Sequence, residues 1–167
     1  MSLIRYDRTA SHLRPALSIG ERKVAVAKAF NTLSGSGLKI DMLVATGISG
    51  IVFGTSLADM MNLPLAIVRK QEMPMSCSGK NVEGPDNPYQ EISWVFVDDL
   101  ISSGTTYRRV ITAMDQRYTG YHKLVGIMLY KDWFESDYGV RSLVPCGMSN
   151  LPPFNTPVFT LEGRKFN

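Results

Sequence analysis

The stretch from Trp94 to Thr106, WVFVDDLISSGTT, decides the reading of this chain. An apolar run, Val95-Phe96-Val97, delivers two adjacent carboxylates, Asp98 and Asp99, to the end of a strand. A turn rich in hydroxyls and glycine follows, Ser102-Ser103-Gly104-Thr105-Thr106, and then a helical pattern. Backbone N–H groups of a short turn entering a helix converge on an anion, and the helix N-terminus adds partial positive charge. Gly104 permits close approach, while Ser102, Ser103, Thr105 and Thr106 supply hydroxyl donors. The carboxylates accept hydrogen bonds from neighbouring hydroxyls. A ligand with both hydroxyls and a phosphate satisfies both halves, which is the description of a sugar phosphate. An isolated Asp pair would be read as capping the turn; strand, Asp pair, turn and helix in this order are more specific.

Outward from this stretch the chain alternates strand and helix. Glu21 to Leu33 places Val24, Ala27, Lys28 and Phe30 at helical spacing, and Ser34-Gly35-Ser36-Gly37 ends that pattern. Asp41 to Thr46 reads as a buried strand, Ile51 to Asn62 as a helix with Leu57, Met60 and Met61 inward, and Leu65 to Arg69 as the next strand. From Gln71 to Gln90 no period holds; three prolines, two glycines and two asparagines mark a loop long enough to be a functional lid or an insert. Strand Ser93–Val97, a helix from Thr105 to Arg117 with Val110, Ile111 and Met114 on one face, and strand Leu124–Leu129 complete the alternation. The expected fold is α/β, a mostly parallel sheet flanked by helices. Ligands of such sheets sit beyond the carboxyl ends of the strands, where the turns after Thr46, Arg69 and Val97 all fall.

Composition agrees with a well-packed protein. The chain has 167 residues, 44% hydrophobic and 20% charged, which excludes a disordered polymer. A net charge of +3 without a dense Lys/Arg block suits anionic small molecules and argues against nucleic acid. Cys77 and Cys146 have no CxxC neighbour and no metal spacing with His12 or His122, as expected of reduced thiols. With no charged-then-apolar leader and no run of membrane-spanning length, the sequence reads as soluble and cytoplasmic.

VFVDDLISSGTT resembles the phosphoribosyl pyrophosphate (PRPP) signature of the type I phosphoribosyltransferases, and the order of elements from Asp41 to Lys131 resembles that family's core. The resemblance implies that Asp98 and Asp99 hold the ribose 2- and 3-hydroxyls and that Ser102, Ser103, Gly104, Thr105 and Thr106 hold the 5-phosphate. It implies that Thr46 and Gly47, in the turn after the first core strand, grip pyrophosphate, and that the Arg69-Lys70 doublet at a strand end lies near it. The segment 71–90 falls where the family has a mobile catalytic loop, and Lys80, its only cation, becomes a candidate for the pyrophosphate. The core then spans about 21–131 of one domain, with a small hood from 1–20 and 132–167.

No nucleophile–base pair is visible, which suits displacement of pyrophosphate through an oxocarbenium-like state that needs positioning and charge neutralisation. The resemblance also implies Mg2+, held by Asp98 and Asp99 indirectly, through PRPP and water. It implies a homodimer or larger assembly.

The acceptor is less marked, because fold and donor site do not fix the second substrate. Lys131 stands where several 6-oxopurine members read the exocyclic oxygen, and is equally a solvated strand-end lysine. Trp133 and Phe154 are candidates to stack on the base. Ser102 is a hydroxyl where many hypoxanthine-guanine members have an aspartate, and the loop after Lys70 lacks the Lys-x-His-Gly pattern expected for orotate. The expectation is Mg-dependent phosphoribosyl transfer from PRPP to a purine, in purine salvage. The alternatives are an orotate or other pyrimidine phosphoribosyltransferase, a non-catalytic PRPP- or nucleotide-sensing regulator, and, more remotely, a subunit resembling PRPP synthase.

Overall fold

A computed structural model describes residues 13–69, 80–86, 91–99, 101, 104–119, 122–130, 156–163 and 165–166. Along the chain these form α1 (Arg14–Leu17), α2 (Ile19–Ser34), β1 (Met42–Thr46), α3 (Gly47–Met61), β2 (Leu65–Val68), β3 (Val82–Glu83), β4 (Ile92–Asp98), α4 (Thr105–Tyr118), β5 (His122–Leu129), β6 (Val158–Thr160) and β7 (Lys165–Phe166). The strands make one sheet in the order β3-β2-β1-β4-β5-β6-β7. Its interior pairings, β2 with β1, β1 with β4, β4 with β5 and β5 with β6, are parallel. The edge strands β3 and β7 run antiparallel to their neighbours. The expected α/β architecture is therefore present.

Strands covered on both faces must be apolar throughout rather than alternating. Every residue of β1 is buried, and β4 is buried at all positions except Ser93. Successive side chains of β4 feed two separate cores. Val95 and Val97 pack with α1, α2 and α3, around Phe53, Leu57 and Leu33. Trp94 and Phe96 pack with Val110, Met114 and Tyr118 of α4 on the other face. Full burial of side chains of this size stabilises by about 1.5–3 kcal/mol each, so the two cores anchor the central strands from both sides. Trp94 is wholly buried, and its indole N–H donates to His122 Nδ1 at 3.0 Å while His122 Nε2 lies 3.0 Å from Asp115.

Several expectations are corrected. The buried face of α2 is Ala25, Val26, Ala29 and Leu33, not the Val24 face; Val24 is 60% exposed. Small alanines let α2 approach its neighbours closely, and they carry little hydrophobic signal of their own. In α3 Leu57 is buried as expected, but Met60 is exposed and Phe53 and Ala58 point inward. That helix also starts directly after Thr46, so Gly47 to Gly50 form its first turn rather than a separate loop. Within the segment 71–90, Val82–Glu83 is a strand paired with β2. Tyr118 donates to the Pro85 carbonyl at 2.9 Å and Arg117 pairs with Asp86, so the described part, 80–86, is docked against α4. Residues 158–160, assigned above to the hood, extend the central sheet beside β5 instead. Among the described residues no helix is long and apolar enough to cross a membrane.

Candidate active site

The strand order reverses direction between β1 and β4: the chain leaves β1 toward β2 on one side and leaves β4 toward β5 on the other. With right-handed crossovers the connecting helices then fall on opposite faces of the sheet. They do, since Phe53 and Leu57 of α3 belong to one core and Val110 and Met114 of α4 to the other. The loops after β1 and β4 diverge and leave a crevice at the strand ends, the usual ligand position in an open α/β sheet. Thr46-Gly47 and Asp98-Asp99 are the residues at its two walls.

Both helices open toward that crevice without a side-chain cap. The Thr46 hydroxyl, at the N-cap of α3, donates across the sheet to the Val68 carbonyl at 2.7 Å. Gly104, at the N-cap of α4, has no side chain to offer and adopts φ +74°, a conformation that glycine reaches at no steric cost. First-turn N–H groups and the positive ends of both helices thus follow the carboxyl ends of β1 and β4, which are neighbours in the sheet.

Between them lie the carboxylates. Asp98 and Asp99 are 6% and 8% exposed, and the Asp99 N–H donates to Asp98 Oδ1 at 2.9 Å. Ser49, in the first turn of α3, donates to Asp99 Oδ1 at 3.4 Å. Gly50 faces the end of β4 at close range. A Cβ there would stand 3.0 Å from the Val97 carbonyl oxygen and 3.3 Å from Asp98 Oδ1. Tyr130, just past β5, donates its backbone N–H to the Asp98 carbonyl at 3.2 Å and stacks on Phe53 with ring centroids 4.3 Å apart. Burial, then the charges of Asp99 and Asp98, push its phenol well above the usual tyrosine range, so it stays an O–H group.

The expected site residues separate into three groups. Thr46, Gly47, Asp98, Asp99, Gly104, Thr105 and Thr106 occupy adjoining ends of β1, α3, β4 and α4. Arg69 and Lys80 stand at the β2–β3 side with other partners. The Arg69 guanidinium pairs with Glu83 at 2.7 Å, and the Lys80 ammonium lies 4.0 Å from Asp86. Lys70, Ser102, Ser103, Lys131, Trp133 and Phe154 lie outside the described residues. Ser49, Gly50 and Tyr130 received no role from the sequence. The only signal for the first two was their place in the Gly47-Ile48-Ser49-Gly50 turn, and for Tyr130 its position beyond an apolar strand.

Among the described residues no group of three or more His, Cys, Asp or Glu converges as a metal cage. Asp98 and Asp99 do fit the way Mg2+ is commonly held, by one or two carboxylates with the remaining positions left to substrate oxygens and water.

In a doubly wound α/β protein, a carboxylate pair beside helix N-termini can accept from hydroxyls and stand next to a bound anion. Comparisons with known proteins show what the chain is similar to. No family model matches the chain. It is 30% identical over 92 residues to an orotate phosphoribosyltransferase of Streptococcus agalactiae serotype III (strain NEM316), a match over 55% of this chain and 43% of that enzyme. The chain spans about half the length of the curated relatives it matches. Adenine phosphoribosyltransferase of Saccharomyces cerevisiae superposes with TM-score 0.58 at 25% identity, over 86% of this chain and 80% of the other. Orotate phosphoribosyltransferase of Francisella tularensis superposes with TM-score 0.63 at 18% identity, over 87% and 68%. The relatives found by sequence and the neighbours found by structure are thus phosphoribosyltransferases, and the chain shares their fold.

Proposed function

We propose that the chain transfers the 5-phosphoribosyl group from PRPP to a nucleobase, releasing pyrophosphate. One observation carries this reading: a buried carboxylate pair lies between two helix N-termini that have no side-chain cap, at the switch point of the sheet. Vicinal ribose hydroxyls donate to Asp98 and Asp99. The 5-phosphate takes the N-terminal turn of α4, including Gly104, Thr105 and Thr106, and the pyrophosphate takes the Thr46-Gly47 entrance to α3. The sugar is thus held at both ends and along one edge, leaving C1 open to the acceptor.

In the reaction the bond from C1 to the pyrophosphate oxygen breaks, a bond from C1 to a ring nitrogen of the base forms, and the base gives up the proton on that nitrogen. Positioning and charge stabilisation supply most of the acceleration for such a step. Asp98 and Asp99 are the residues that would hold Mg2+ together with substrate oxygens, and the ion would neutralise developing charge on the leaving pyrophosphate. Asp98 and Asp99 orient the ribose, and the helix ends fix the phosphates against which C1 moves.

For the acceptor, the names of the sequence relatives support orotate, while the missing Lys-x-His-Gly pattern after Lys70 supports a purine. Cytoplasmic location and a homodimer or larger assembly are the family's implication for the whole protein. The test is incubation with PRPP, Mg2+ and, separately, orotate, uracil, adenine, hypoxanthine, guanine and xanthine, followed by separation of nucleotides. Nucleotide formed with one of these bases supports the proposal and identifies the acceptor. PRPP binding with no nucleotide from any base would refute catalysis and favour a PRPP-sensing regulator.

A further inference from the structure

Tyr130 has no part in the chemistry above, yet its surroundings are those of a functional group. Tyr130 is 1% exposed, and among the described residues its hydroxyl makes no hydrogen bond of good geometry, although Ser49 is near enough to act on it. Buried polar atoms are almost always satisfied in native proteins, so an orphaned phenol calls for an explanation. The ring is firmly held. It stacks on Phe53 at an interplanar angle of 23°, and the backbone N–H is tied to the Asp98 carbonyl. Phe53 follows Ser49 by one helical turn, and side chains on a helix lean toward its N-terminus. The stack leads the phenol to the level of Ser49, whose hydroxyl acts on the phenol and makes a long bond of 3.4 Å to Asp99 Oδ1.

We propose that Tyr130 is a positioning residue for the carboxylate pair: its hydroxyl is a reserve donor that closes onto the Asp99 carboxylate when a ligand hydroxyl engages it. In the ligand-bound state Ser49 and Tyr130 then both donate to Asp99 and fix its rotamer while the ligand hydroxyl is engaged. The inference rests on the proposal that Asp98 and Asp99 bind the ribose hydroxyls. It adds a residue, and a reason for the orphaned phenol, that the proposal does not contain.

Tyr130→Phe keeps the ring and its stack on Phe53 and removes one oxygen atom. In calorimetric titrations with PRPP and Mg2+ the variant is expected to bind about tenfold more weakly than wild type, the size of one hydrogen bond to a charged acceptor. In turnover the KM for PRPP rises by a similar factor, while kcat and the KM for the base change less than about twofold. The thermal midpoint does not fall, because the lost hydroxyl made no hydrogen bond of good geometry in the ligand-free protein; a merely structural residue would lower it. Ser49→Ala should weaken PRPP binding less, and the double variant should lose less than the product of the two single effects. Tyr130→Phe protein that binds PRPP like wild type, or fully multiplicative effects in the double variant, would overturn the inference alone. Wild-type protein that does not bind PRPP would overturn the proposed function and this inference with it.

Discussion

Replacing Gly50 by alanine tests whether the close approach of α3 to β4 sets the carboxylate geometry. The added methyl would sit 3.0 Å from the Val97 carbonyl oxygen and 3.3 Å from Asp98 Oδ1, where ordinary contact begins at 3.4 Å. Something must yield by about 0.4 Å, judged against that contact distance. Val97 cannot yield cheaply, because β4 is hydrogen-bonded between β1 and β5. Overpacking of this kind costs about 1–3 kcal/mol. Alanine in place of glycine inside a helix returns about 1 kcal/mol. The net expectation is a loss of about 0–2 kcal/mol in urea unfolding, with α3 and Asp98 pushed apart. PRPP affinity should fall further than stability does, because Asp98 is one of the two strained contacts. Gly20→Ala is the internal control. It lies in α2 with nothing within 4 Å of the added carbon, and should raise stability by a few tenths to about 1 kcal/mol. If Gly50→Ala were as stable as Gly20→Ala and bound PRPP normally, the packing argument for the site would fail.

Other outcomes follow from buried polar groups. His122→Ala leaves the Trp94 indole N–H without its acceptor inside the core and should cost about 1–3 kcal/mol in urea unfolding; a variant as stable as wild type would show that water replaces the imidazole. Burial raises the phenols of Tyr130, Tyr107 and Tyr118, with the Asp99 and Asp98 charges adding to the effect at Tyr130. A group whose folded-state value exceeds its unfolded value keeps its proton longer in the native protein. Stability should therefore hold up to about pH 10, the unfolded tyrosine value, and decline above it. Absorbance at 295 nm should show these tyrosinates forming only as the protein unfolds, and Tyr130→Phe should flatten part of the alkaline decline. Titration of all the tyrosines near pH 10 without unfolding would contradict the burial argument.

The strands were legible because interior parallel strands are continuous apolar runs, and DMLVAT and WVFV need no partner to be read as such. The faces of the helices were less so. In α2 the buried positions Ala25 and Ala29 carry little hydrophobic signal, and Val24, which marked the helical spacing, is 60% exposed. β3 was missed because two residues in a stretch rich in proline and glycine have no period, and they become a strand only through β2. β6 is a short run, Val158 to Thr160, whose place beside β5 is a property of the whole sheet. The place of Asp98 and Asp99 at the end of β4 could be read from local order alone. The bond from Thr46 to Val68, the approach at Gly50 and the orphaned hydroxyl of Tyr130 depend on residues far apart in sequence. Arg69 stands at the expected strand end, and its pairing with Glu83 is likewise a contact between residues far apart in sequence.

The central claim is that the crevice between α3 and α4 binds PRPP through Asp98 and Asp99. Calorimetric titration of PRPP with Mg2+ into wild type, Asp98→Asn and Asp99→Asn tests it most directly. The account predicts saturable binding to wild type and at least a tenfold loss in each variant, since each exchange removes a charged acceptor from a ribose hydroxyl. Absence of binding to wild type, or equal affinity in all three proteins, would contradict it.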